Sequence, residues 1–280
     1  SSDVCSSDLG LFGLPEMGVK GSAYATLIAR IFMMVFLFFV MRRHTVTRRY
    51  MKDFALKINT FKQEMFRKML TLGLPTAFQM LFEVTAFAAA AFICGMVSAK
   101  DIASHQIALS MASFTFNLCI GFSVASTVMI GRKTGVQDYA GLRQVGINNL
   151  KIAFLFMLFC GLVFIVGRKY FPVFFTQRSD VEVILLASQL LIIAALFQLS
   201  DGIQVTALGI LRGMQDVKIP SILTFVAYWV ITIPLGYYLC VVREMGAFGM
   251  WIALGLGLTI SAVLLVSRFL ILSKRRLSVF

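Results

Sequence analysis

Seven apolar runs of about twenty residues decide what this chain can become, because a helix of that length crosses the roughly 30 Å hydrocarbon core of a bilayer. They fall near Gly18–Val40, Pro75–Val97, Ile102–Met129, Leu150–Val166, Val183–Leu211, Pro220–Val242 and Gly246–Leu272. Of the 280 residues 59% are hydrophobic and 14% charged, where a soluble domain has about 25% charged. The expected class is therefore an all-α polytopic membrane protein with seven transmembrane helices. The net charge of +13 does not indicate nucleic acid, since the basic residues stand in short clusters between apolar runs, a pattern that reports topology.

Those clusters predict an orientation. If the segment after the first run is cytoplasmic, nine Lys and Arg lie in 41–74, four in 130–151, two in 212–219 and four in 268–280, against six in the opposite loops. The positive-inside rule then puts the C-terminus in the cytoplasm; the expected location is the inner (cytoplasmic) membrane. Between the first two runs, Phe54, Ile58, Phe61, Met65, Met69 and Leu72 recur at helical spacing among basic residues. This predicts an amphipathic linker helix on the inner membrane surface rather than a calmodulin-type target.

Ser1–Leu9 has neither the charged start nor the apolar middle of a signal peptide. It resembles translated adapter read-through, so residues 1–9, including Cys5, are set aside as a non-native leader and the natural N-terminus is expected upstream. Glu16-Met17-Gly18-Val19-Lys20-Gly21 returns as Glu244-Met245-Gly246-Ala247-Phe248-Gly249, each copy opening a run that ends in basic residues. A parallel repeat of six-helix units gives this pattern. The expected organisation is a last N-lobe helix over 10–41, a linker over 42–72, a six-helix C-terminal lobe over 73–273 and a cytoplasmic tail over 274–280. Pro75 and Pro220 are expected at span entrances, and Pro234 inside a span it should kink.

Only two acidic residues lie well inside the runs, Glu83 and Asp201. A charge there costs roughly 2.5–3.5 kcal/mol on insertion scales and marks a functional site. At 1.5 Å per residue the two sit at roughly 12 and 15 Å depth, near enough for one cavity. Gln79 lies one turn before Glu83, and Gln198 and Gln204 flank Asp201 at three residues on either side. Gln106, Ser110, Ser113 and Asn117 form a polar stripe on the third run, read either as lumen lining or as helix–helix hydrogen bonding. Burial disfavours a charged carboxylate, which suits reversible proton binding; alternatively carboxylate and amide oxygens would hold a sodium ion. Neutralising the pair would change which lumen shape is stable and couple an inward ion gradient to export. A lipophilic cation suits carboxylates and aromatic faces as cargo. Arg30, inside the first run, either pairs with an acidic group upstream or reaches a wet cleft. Cys94, Cys119, Cys160 and Cys240 read as small hydrophobes, and His44 and His105 lack a second ligand at helical spacing, so no metal site or cofactor is expected beyond the coupling Na+ or H+.

Three stretches resemble the multidrug and toxic compound extrusion (MATE) transporters of the NorM type: Leu72-Gly-Leu-Pro-Thr-Ala-Phe-Gln-Met-Leu-Phe-Glu-Val; Ala103-Ser-His-Gln-Ile-Ala through Ile130-Gly-Arg-Lys-Thr-Gly-Val-Gln-Asp; and Gly209-Ile-Leu-Arg-Gly-Met-Gln-Asp-Val-Lys-Ile-Pro with Tyr228-Trp229 and Pro234-Leu235-Gly236-Tyr237. The resemblance implies helices six to twelve of a twelve-helix, monomeric antiporter that exports organic cations against Na+ or H+. Glu83 and Asp201 would then fall on the family's C-lobe cation site. The Tyr that some members carry one turn before the second carboxylate is Phe197 here, which leaves the ion open. The chain by itself is expected to be inactive. A lipid-linked oligosaccharide flippase of the same superfamily is the alternative, but its anionic cargo would call for several basic residues in the lumen. A retinal receptor lacks its interior Lys and an intramembrane aspartyl protease its Gly-x-Gly-Asp, so an enzyme is not expected.

Overall fold

The computed structural model describes residues 18–43, 63–176 and 180–277, with side chains from residue 23 onward in the first stretch. Among the described residues seven helices are long and apolar enough to cross a membrane: α1 (Gly18–Arg43), α2 (Gln63–Val97), α3 (Ala99–Gly135), α4 (Tyr139–Gly167), α5 (Val181–Gly213), α6 (Lys218–Val242) and α7 (Gly246–Leu277). The protein is thus a multi-pass membrane protein. A 3₁₀ turn over Phe171–Phe174 joins α4 to the approach of α5. The chain divides into two units, Ser1–Gln63 and Glu64–Phe280. In the first, the large apolar side chains of α1 between Leu27 and Phe39 are exposed, and so is Arg30 among them. The amphipathic linker expected over Met41–Leu72 lies outside the described residues for 44–62.

Within the second unit α5 is the hub, packed against α3, α4 and α7. Its sequence explains the position. Gly209 and Gly213, four apart on one face, let the α3 backbone come so close that a Cβ at Gly209 would sit 2.3 Å from the Ser123 carbonyl oxygen and one at Gly213 2.8 Å from that of Thr127. Small residues at this spacing are how membrane helices approach without a hydrophobic driving force. The polar atoms so gathered satisfy one another: Ser123 Oγ donates to the Val205 carbonyl at 2.7 Å and Thr127 Oγ1 to that of Gly209 at 2.9 Å.

Two expectations about prolines need amending. Pro75 is not at a helix start: α2 begins at Gln63, twelve residues earlier, so 63–72 is one helix with the span and not part of a separate linker. Hydropathy marks where a helix meets the membrane surface, not where its hydrogen bonding begins. Ser221 Oγ of α6 lies 2.6 Å from the Pro75 carbonyl and 2.8 Å from its own Val217 carbonyl, which brings α6 against α2 at this level. Pro220 does lie in the first turn of α6. Around Pro234 the helix widens rather than simply bending: Val226–Thr232 and Tyr238–Val242 are π-helical, on either side of a short α-helical piece, Ile233–Tyr237. Thr232 Oγ1 follows the wider pitch, donating five residues back to the Ala227 carbonyl at 2.8 Å.

Polar anchors fix the helix ends. Asp101 Oδ1 accepts from the Ala247 N–H at 2.7 Å, joining the start of α3 to the start of α7, where Gly246 adopts a left-handed φ of 57°. Gly18 and Gly246, equivalent positions of the six-residue repeat, are each the first residue of a helix. At the other end Arg268 Nε donates to Asp216 Oδ2 at 2.9 Å, tying the α5–α6 turn to α7. Asp138 caps α4 through the Gly141 N–H at 2.9 Å and pairs with Lys133 at 2.6 Å.

Candidate functional site

The α2 helix meets the lobe through side chains. Ala86, Ala90, Ile93 and Cys94 enter the core, and Trp229 Nε1 of α6 donates to the Phe82 carbonyl at 3.2 Å. Those contacts present Glu83, the next residue, toward α5. A cavity of about 360 Å³ opens between α2, α3 and α5, walled by Glu83 and Asp201 together with Gln106, Ser113, Phe87 and Phe197. Depth estimated from sequence brings the two carboxylates to a similar level, and both line this cavity, Glu83 from α2 and Asp201 from α5.

The two carboxylates have different surroundings. Glu83 is half-buried, and its Oε1 lies 3.4 Å from both Gln204 Nε2 and the Tyr228 hydroxyl, which are themselves 3.1 Å apart. Contacts of 3.4 Å are long for hydrogen bonds to a carboxylate, so Glu83 is oriented yet loosely held. Asp201 is 4% exposed, and among the described residues no donor reaches its carboxylate. Asp201 lines the cavity and is open to what the cavity holds. Together with Glu83, Tyr228 and Gln204 the site offers carboxylate, hydroxyl and amide oxygens, the donors a hard cation prefers.

The remaining residues expected at the site separate into three groups. Gln106, Ser113 and Phe197 line the cavity. Ser110 and Asn117 are exposed on the same stripe, but bond back to their own helix at the Gln106 and Ser113 carbonyls, both at 2.8 Å; among the described residues neither bonds to another helix. Gln79 and Gln198 turn away. Gln79 accepts from Arg212 Nη2 at 3.2 Å, and Gln198 accepts from Thr115 Oγ1 at 3.0 Å. On a helix three residues advance about 300°, not a full turn, so flanking Asp201 by three does not guarantee its cavity.

Tyr228 and Arg212 were not legible as site residues. Tyr228 belongs to α6, whose π turns spoil the periodicity from which a facing residue is read. Arg212 ends α5 in a run that looks like a basic helix terminus, yet its side chain reaches back to Gln79, one turn from Glu83. Behind the cavity an aromatic wall runs from Phe87 through Phe197, edge-on at 6.1 Å, to Trp251 at 5.4 Å and His105 at 5.8 Å.

The MatE family model matches residues 75–238. The chain is 34% identical over 273 residues to a probable multidrug resistance protein NorM of Agrobacterium fabrum, covering 96% of this chain and 58% of that protein. It is 33% identical to the multidrug resistance protein MdtK of Pectobacterium atrosepticum, over 95% of this chain and 58% of that one. It therefore spans somewhat over half the length of these relatives. The eukaryotic MATE transporter AtDTX14 superposes with a TM-score of 0.81 at 20% identity, covering 98% of this chain and 60% of its own; an outward-facing multidrug resistance MATE transporter gives 0.79 at 19%, with 98% and 59%. The fold of this lobe is theirs, and with the family match across most of its helices the chain belongs to the MatE family.

Proposed function

We propose that these residues form the last N-lobe helix, the linker and the complete C-terminal lobe of a secondary antiporter that exports lipophilic organic cations from the cell in exchange for Na+ or H+ by alternating access. The observation that carries this is the placing of two unlike carboxylates, Glu83 and Asp201, on the wall of one largely apolar cavity. Apolar and aromatic surface takes up a lipophilic cation, and the carboxylates offer it charge. Coupling follows if cargo and ion compete for the same negative charges. Asp201 opens on the cavity, where a proton or a cation can neutralise it; losing that partner leaves a charge in a largely apolar wall and shifts the balance between access states. Drug resistance in the named relatives supports the choice of cargo.

The same reading places the protein in the cytoplasmic membrane with its C-terminus inside and makes the full-length transporter a monomer. The 280 residues alone are then inactive, since half of the pathway belongs to the other lobe. The flippase reading gains one feature, Arg212, a basic residue that bonds Gln79 one turn from Glu83. It remains the weaker, because Arg212 is turned to Gln79 and does not line the cavity.

The test restores the upstream reading frame and follows efflux of a lipophilic cationic dye from drug-sensitive cells, comparing wild type with Glu83→Gln and Asp201→Asn. Efflux lost in both variants at normal expression supports the pair as the coupling site. Undiminished efflux from both variants overturns it.

A further inference from the structure

Away from the cavity, at the end of the bundle where α4 starts and α7 finishes, lies a groove whose walls include Arg143, Gln144, Asn148 and Lys151 of α4 and Leu277 of α7. None of these residues lines the cavity. The helices stay close here because Gly146 faces the ring of Phe269; a Cβ would come within 2.5 Å of it. The groove carries two cations and no acid. Arg143 is partly buried, and its Nε is buried with no hydrogen-bond partner; neither it nor Lys151 meets a carboxylate among the described residues. The acids nearest in sequence and fold are already engaged, Asp138 with Lys133 and Asp216 with Arg268.

The helix continues this stripe in a different chemistry. Gln144, Asn148 and Lys151 are followed at the same helical spacing by Leu155, Leu158 and Leu162. The three leucines are 63%, 38% and 55% exposed. From Lys151 to Leu162 is about 16 Å along the axis. Unpaired cations beside amide side chains, giving way to an exposed apolar track that points into the membrane, match a molecule with a phosphate at one end and an alkyl chain at the other. Basic pockets between transmembrane helices at a membrane surface hold anionic headgroups for the same electrostatic reason.

We propose that this groove between α4 and α7 binds an anionic phospholipid, its phosphate held by Arg143 and Lys151 with Gln144 and Asn148 beside it, and one acyl chain lying along Leu155, Leu158 and Leu162. The site does not depend on what the protein transports.

The full chain, purified in detergent and stripped of lipid, is titrated with phosphatidylglycerol, with phosphatidylcholine and with inorganic phosphate, and bound molecules are counted by native mass spectrometry. Wild type should retain phosphatidylglycerol in preference to phosphatidylcholine, and excess inorganic phosphate should not displace it. Arg143→Gln with Lys151→Gln should lower the apparent affinity roughly tenfold or more, as expected for two surface cations. Lys151→Gln alone, at an exposed position, should give a part of that loss with folding intact. Arg168→Gln with Lys169→Gln, at the opposite end of α4, should change nothing. Equal retention of the two lipids, unchanged affinity in the well-folded Lys151→Gln variant and its double, or displacement by inorganic phosphate would each overturn the proposal, the last by making it a free-anion site.

Discussion

The Tyr228 hydroxyl of α6 stands 3.4 Å from Glu83 Oε1 of α2, with Gln204 of α5 touching both. Three helices thus meet at one carboxylate oxygen, and the tyrosine is wholly buried. Tyr228→Phe keeps the ring against Phe87 and removes only the hydroxyl. Loss of one such bond is worth about 1 kcal/mol. In the restored full-length protein this substitution should lower ion-driven dye efflux about three- to tenfold at normal expression. Efflux equal to wild type would remove Tyr228 from the site.

The α3–α5 contact should be the least tolerant in the lobe. Gly209→Val forces side-chain atoms into the Ser123 backbone, which cannot rotate away as a flexible side chain does. A cost at or above the usual 1–3 kcal/mol of overpacking is expected. Thermal unfolding in detergent should show a lower midpoint than wild type, whereas Gly255→Ala, inside α7 with nothing within 4 Å of its added Cβ, should not lower it, since Ala is the better helix residue.

Arg268 and Asp216 should hold the α5–α6 turn closed. Their side chains are 27% and 14% exposed, so the pair is better shielded from water than a surface salt bridge. Asp216→Asn leaves Arg268 without its counterion and should cost about 1–3 kcal/mol. Trypsin sites at Arg212 and Lys218 flank the turn; cleavage there should accelerate in the variant and remain slow in wild type.

A pH response is expected at the α3–α4 turn. The hydrogen bond from Lys133, then that from the Gly141 N–H, hold the Asp138 carboxyl below the usual carboxylate range. Because the folded form binds its proton less readily than the unfolded one, the contribution to stability is complete above the ordinary carboxylate range and is lost as pH falls through the lower, folded value. Amide exchange at Gly141, corrected for its intrinsic rate, should rise as the pH falls below that range. Asp138→Asn should abolish the pH dependence.

How much of this was legible beforehand varied with the kind of interaction. The seven spans and the shared depth of Glu83 and Asp201 follow from length and hydropathy, because a bilayer imposes both. The direction a polar side chain takes did not follow: Gln79 and Gln198 were expected in the lumen, and each instead found a partner on a neighbouring helix, Arg212 or Thr115. Such choices depend on which helix stands alongside, which no single helix encodes. The tight α3–α5 approach at Gly209 and Gly213 was likewise not read from the sequence, because a glycine does not say which helix comes close to it; the structure names α3.

The widened turns of α6 have a consequence for the order of its faces. A π turn takes in one residue beyond the α-helical count, and each residue is worth about 100° of rotation. Two such turns, on either side of Pro234, therefore set the phase of the side chains beyond them independently of the phase of Tyr228 and Trp229. Tightening one of them to ordinary α pitch would turn the far half of the helix about its own axis while the near half stayed tied to Phe82 and Pro75. In α6, which packs on α7 along its length, backbone pitch thus sets how the half that grips α2 is turned relative to the half beyond Pro234.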